Sequence, residues 1–314
     1  MVLYFRDAQA EGWGVRDLGS TRKAAMNGNW FGLKRGAAAL TVAMACALAP
    51  SPASAQEASP PGANDFGCEP SNAHPRPVVL AHGLGANMSA NWSYMSPRLA
   101  DAGYCVFALT YGHDERTMGW PYRPAGLERM QESSKELKAF VAEVLDATDA
   151  RKIDLIGHSE GTVMPRWYME RRGGAKFVKR FIALTPLWRG SDVGGLATLR
   201  DIASIFGLDG AAQDIVAGFC ASCPQFLRDS DYLNELNSDG EKIPGVRHTN
   251  IVTRYDELVV PFTSGLMRDG GKNIVVQDVC PANASEHLAV AFDPVVFQMF
   301  LNALDPKGAT EVTC

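Results

Sequence analysis

A helix that spans a bilayer needs roughly 20 consecutive apolar residues, and the apolar run from Gly36 to Pro50 falls short of that. A retained membrane span is therefore disfavoured. A basic stripe is also missing: the formal net charge is −5, and Lys and Arg are scattered singly or in pairs, which argues against nucleic acid as a partner. No internal repeat is visible, so a solenoid or propeller is not indicated. Cys220-x-x-Cys223 is followed directly by Pro224 and by no second ligand pair at zinc spacing, which favours a structural bridge over a zinc or redox site.

What is present is a chain of 314 residues, 46% hydrophobic, enough for one sizeable core and one catalytic domain. Lys34 and Arg35 precede the apolar run, and Ala53-Ser54-Ala55 follows it in the small-x-small form that signal peptidases cut. Residues 1–55 are thus expected to be a signal peptide, with Met26 as an alternative start, and the mature protein is expected to be secreted. Cys46 lies inside the run, but Ala43 and the bulky Met44 before it depart from a lipid-anchor site. The other cysteines, Cys68, Cys105, Cys220, Cys223, Cys280 and Cys314, are even in number and suit an oxidising compartment. We expect Cys68–Cys105, Cys220–Cys223 and Cys280–Cys314, because each pair flanks a loose loop or terminus.

Residues 56–76 read as an extended lead-in and residues 77–314 as the domain proper. Short apolar runs bounded by turn residues predict buried strands at Pro77–His82, Cys105–Thr110, Lys152–Gly157, Phe181–Thr185, Thr249–Thr253 and Asn273–Gln277. Between them, Trp92–Ala102 reads as a helix, and Leu127, Met130, Leu137, Phe140, Val141, Val144 and Leu145 recur at helical spacing. Strands alternating with helices imply an α/β fold, with a mostly parallel sheet of about six core strands flanked by helices. The segment 188–245, with Leu196, Leu199, Ile202, Ile205 and Phe206 at helical spacing, reads as a helical cap or lid inserted after the fourth strand.

Gly157-His158-Ser159-Glu160-Gly161 fits the Gly-x-Ser-x-Gly pattern, which chance supplies about 0.2 times in a chain this long. Its context gives it weight: it follows a predicted strand and precedes a predicted helix, the turn that forces a serine Oγ out at a sheet edge. Pro165, inside that helix, is expected to remove a bond to Gly161 and kink the first turns. A nucleophilic serine needs a base, and only His248 and His287 follow it. His248 starts a strand of six residues at about 3.3 Å each, roughly 20 Å from the edge carrying Ser159, and is expected to be structural. His287 follows the last strand and is the candidate general base. Asp256, leaving the fifth strand, is the candidate acid, with Glu257, Asp278 and Asp192 as competitors. The backbone N–H groups of Leu84 and Glu160 are the candidate oxyanion hole, the first in the turn His82-Gly83-Leu84-Gly85.

Val79–Gly83, Ala102–Phe107, Gly157–Gly161, Thr249–Asp256 and Glu286-His287-Leu288 together resemble the secreted class 2 triacylglycerol lipases of bacteria. The resemblance implies an α/β-hydrolase fold, a Ser159–Asp256–His287 triad, and hydrolysis of acylglycerols or short acyl esters without an organic cofactor; the residues themselves suggest no metal ligand set, and calcium is left open. Ester or acylglycerol is the implied substrate, with a lipid interface as a candidate partner. Acyl transfer to an alcohol and polyester cleavage need the same triad, and a secreted binding protein that has lost the chemistry stands as the non-enzymatic alternative.

Overall fold

The computed structural model describes residues 58–115, 123–192, 218 and 220–314. The expected signal peptide and the apolar helical stretch Leu196–Phe206 lie outside the described residues. Six strands form one sheet: β1 Val78–Ala81, β2 Val106–Leu109, β3 Ile153–His158, β4 Val178–Leu184, β5 Arg247–Val252 and β6 Lys272–Val275. Their order is β2-β1-β3-β4-β5-β6 and every neighbouring pair is parallel. Parallel strands need crossover connections, so both faces are covered and the strands read as unbroken apolar runs. Val79, Ala81, Phe107 and Leu155 face one core, and Val78, Leu80, Val106 and Ile156 face the other. Each fully buried side chain of that size contributes about 1.5–3 kcal/mol.

The helix expected over Trp92–Ala102 is instead two, α1 Met88–Trp92 and α2 Met95–Asp101, with a break at Ser93–Tyr94. The first begins early because Asn87 caps it, its Oδ1 accepting the Ala90 N–H at 2.8 Å. The amphipathic helix α3 spans Met130–Thr148 and buries Met130, Leu137, Val141 and Val144. The expected sixth strand stops at Val275, and Val276–Val279 turns into a short helix. A helix without a counterpart in the sequence reading, Pro294–Leu304, closes the domain; Asp293 caps it by accepting the Val295 and Val296 N–H groups.

The lead-in covers an edge strand. Asn64 pairs with β2 as a strand residue would: its N–H reaches Val106 O at 2.9 Å, and its side chain both accepts from Ala108 N and donates to Ala108 O at 2.8 Å. Disulfides join Cys68 to Cys105, Cys220 to Cys223 and Cys280 to Cys314, with Cα–Cα separations of 5.8, 5.3 and 5.5 Å. Within the insertion the described part includes the helix Asp231–Leu236. Among the described residues no helix is long and apolar enough to cross a membrane.

Candidate active site

Helix α4, Glu160–Arg171, starts directly from β3, and Ser159 between them sits at φ 54°, ψ −122°. A non-glycine residue there is strained and persists only where its surroundings over-determine it. The two motif glycines show what does so. A Cβ on Gly157 would lie 1.8 Å from Gly161 O, and one on Gly161 would lie 2.3 Å from Ala81 O. Only hydrogen fits at both positions, so β1, β3 and α4 close on each other and Ser159 is driven outward. Pro165 lies inside α4 without ending it; having no N–H, it leaves the Gly161 carbonyl without its usual helical donor.

Asp256 and His287 come from separate loops and meet. His287 Nδ1 lies 2.8 Å from Asp256 Oδ1, both side chains being buried. The same Oδ1 accepts the N–H groups of Leu258 and Val259 at 3.1 and 2.7 Å, which fixes the carboxylate before the imidazole arrives. The other carboxylates are occupied differently. Glu257 accepts the His287 N–H at 3.2 Å, Asp278 pairs with Arg254, and Asp192 pairs with Arg228. His248 lies at the start of β5, its ring 5.9 Å from Phe181 and its Nε2 accepting the Ile243 N–H.

His287 is brought beside the elbow by His158, the residue before the serine. His158 Nε2 lies 3.0 Å from the His287 carbonyl, and the two rings are 5.1 Å apart. Burial, reinforced by neighbouring His287, lowers the His158 pKa to about 3, so its ring is neutral. Asn91 completes this side: its Oδ1 lies 2.9 Å from His158 Nδ1 and accepts the Gly83 N–H at 2.9 Å. His82 is also neutral, burial lowering its pKa to about 4; Nε2 accepts the Tyr111 N–H while Nδ1 donates to Gly83 O. The turn that carries Leu84 is thereby held against the elbow, and a Cβ on Gly83 would come within 3.1 Å of Ser159 Cβ.

The N–H groups on either side of Leu84 are engaged or aimed elsewhere: Gly85 donates to Ala125 O, and Gly83 to Asn91. Glu160 is the first residue of α4, where an N–H has no intrahelical acceptor. Its side chain is fully buried, and burial pushes its pKa well above the usual carboxylate range. Among the described residues no group of three or more His, Cys, Asp or Glu could hold a metal. Asn91 and Ser222 border the candidate site through contacts that the sequence alone did not indicate. For Asn91 no local signal existed; Ser222 lay in plain view inside the Cys-x-x-Cys loop.

A six-stranded parallel sheet with a strained serine at the end of β3, and an acid and histidine on later loops, defines an α/β-hydrolase. The family model for class 2 lipases matches residues 75–299, and the chain belongs to that family of lipase and esterase type hydrolases. Lipase B of Aspergillus fumigatus superposes with a TM-score of 0.58 at 18% identity, over 79% of this chain and 55% of that one. The mature lipase BlEst2 of Bacillus licheniformis gives 0.52 at 15% identity, over 79% of this chain and 94% of its own. A curated relative, epoxide hydrolase A of Mycobacterium tuberculosis, is 34% identical over 87 residues, which is 28% of this chain. The chain spans 25% of that relative's length.

Proposed function

We propose that the protein is a secreted serine carboxylester hydrolase that acts on triacylglycerols and related acyl esters through an acyl-enzyme on Ser159. The observation that carries the reading is the strained Ser159 turn beside a buried Asp256–His287 pair 2.8 Å apart. Ser159 Oγ attacks the ester carbonyl while His287 takes its proton and passes it to the leaving alcohol. Asp256 holds the imidazole in the tautomer with hydrogen on Nδ1 and stabilises its cation. The N–H groups of Leu84 and Glu160 receive the charge that develops on the carbonyl oxygen. Water then attacks the acyl-enzyme under the same base.

A lipid interface is supported by what borders the triad in sequence. Tyr255, Leu258 and Val260 follow or precede Asp256 closely, Leu288 follows His287, and all four are exposed, Leu288 by 57%. Apolar side chains on the loops that carry the acid and base suit contact with an acyl-chain surface. Secretion is supported by the Lys34-Arg35 and apolar-run pattern and by the three disulfides.

The test is hydrolysis of p-nitrophenyl esters from acetate to palmitate, and of a triolein emulsion, by wild type and Ser159→Ala. The variant is expected to lose about five to six orders of magnitude in kcat. Equal inertness of both proteins overturns the reading in favour of a binding protein, whereas activity on short esters alone removes the triacylglycerol assignment.

A further inference from the structure

Glu160 presents a problem that the triad leaves unused. A carboxyl group is fully buried next to the nucleophile, with Ser222 as the hydrogen-bond partner of Oε2 and none among the described residues for Oε1. Ser222 Oγ lies 3.1 Å from Glu160 Oε2 and 2.7 Å from the Gly126 carbonyl. A hydroxyl has one hydrogen, and a carbonyl can only accept. Ser222 therefore gives its hydrogen to Gly126, the shorter contact, and Glu160 as a neutral acid supplies the hydrogen between Oε2 and Ser222 Oγ. Tyr111 and Tyr232, the titratable groups facing Glu160 from β2's end and from the helix Asp231–Leu236, are themselves buried and held neutral.

Both ends of this relay reach the oxyanion hole. Glu160 carries one N–H donor on its own backbone. Gly126 belongs to a segment laced to the turn that carries the other: Ala125 accepts from Gly85 N at 2.8 Å and donates to Ala86 O at 2.9 Å. Gly126 is so close that a Cβ on it would lie 3.4 Å from Leu84 Cα and 3.2 Å from Glu160 Oε1. The loop that delivers Ser222 is itself closed by the Cys220–Cys223 disulfide and docked on Leu127 O through the N–H groups of Ala221 and Ser222.

We propose that Ser222, presented by the Cys220–Cys223 loop, is a positioning residue that sets the spacing of the oxyanion hole by tying Glu160 to the Gly126 segment that braces Leu84. The inference rests on the serine hydrolase reading above. Losing an oxyanion donor outright costs about 10²–10³ in rate, and a residue acting through the donors is expected to cost about tenfold to a hundredfold.

The experiment measures kcat and KM on p-nitrophenyl butyrate, and the affinity of an alkyl boronic acid that mimics the tetrahedral intermediate, with active sites counted by uptake of a p-nitrophenyl phosphonate. For Ser222→Ala the expected result is a loss confined to kcat, with KM within about twofold, and a fall in boronate affinity by the same factor. Ser222→Thr, which keeps the hydroxyl, recovers most of the loss. Replacing Cys220 and Cys223 together by Ala frees the loop and gives the same signature, a second route should Ser222→Ala fail to fold. Wild type that takes up no phosphonate overturns the hydrolase reading, and this proposal with it. Full uptake by wild type with a Ser222→Ala loss that falls on KM, or with no loss, overturns this proposal alone.

Discussion

His158 and Glu160 stand on either side of Ser159, both fully buried, burial holding the His158 pKa down and the Glu160 pKa up, yet they are fixed by different parts of the molecule. His158 lies between two acceptors of the sheet domain, Asn91 Oδ1 in α1 and the His287 carbonyl after β6, and its neutral ring has one hydrogen to give to one of them. Glu160 is held by a hydroxyl that arrives from the insertion between β4 and β5. The flank that carries the proposed general base therefore belongs to the sheet scaffold, while the flank of Glu160, a proposed oxyanion donor, is tied to the segment between β4 and β5. The insertion also touches the acid loop at its first residues, Ser191 Oγ donating to Leu258 O at 2.6 Å and accepting the Val260 N–H at 2.9 Å.

The largest expected effect on this contrast comes from Arg166, which anchors the insertion to α4. Its guanidinium is fully buried, pairs with Glu170 at 2.7 Å and donates to Leu236 O, Gly240 O and Asn237 Oδ1. Arg166→Met removes one partner of a buried pair and leaves two carbonyls unpaired, a destabilisation of about 3–5 kcal/mol. Urea unfolding measures the loss. Amide exchange is expected to accelerate first in residues 231–240; acceleration in β1 and β3 to the same degree would show that the insertion and the sheet are one cooperative unit.

Asn91→Ala strikes the opposite flank. It leaves the Gly83 N–H without an acceptor, and an unsatisfied buried donor costs about 1–3 kcal/mol. The expected outcome is a stability loss smaller than that of Arg166→Met, together with a lower kcat because the Leu84 turn and His158 are both released. A kcat equal to wild type would show that the sheet flank is fixed without Asn91.

The elbow was legible because its causes are local: two glycines four positions apart with a serine midway between them, after an apolar run and before a helix. Asp256 and His287 were legible through chain order and position at strand ends. The braces were not. Asn91 is 67 residues from His158, and Ser222 is 62 from Glu160, and nothing in either local sequence announces the partner. The early start of α1 turned on one capping side chain, Asn87, and after Val275 the chain leaves the sheet for a short helix in which Val276 and Gln277 are buried. The glutamate in the elbow was visible, but its contact with Ser222 was not.

Taken per group and per pH unit, the effects of pH are the smallest expected, and here the two flanks have opposite signs. His158 and His82 have folded pKa values lowered to about 3 and about 4, from an ordinary 6.5. Between those limits the unfolded chain binds more protons, so the stability they contribute is complete above about pH 6.5 and is lost as pH falls toward their folded values. Glu160 is raised above its ordinary 4.5, so its contribution is present below that value and declines as pH rises. Glu160→Gln abolishes only the second trend. The stability of the variant relative to wild type is therefore expected to grow between pH 5 and pH 8, by up to about 1.4 kcal/mol per pH unit. The measurement is urea unfolding of both proteins across that range. A difference that stays flat means that Glu160 is ionised in the folded protein, in which case Ser222 must give its hydrogen to the carboxylate and the tie to the Gly126 carbonyl is broken.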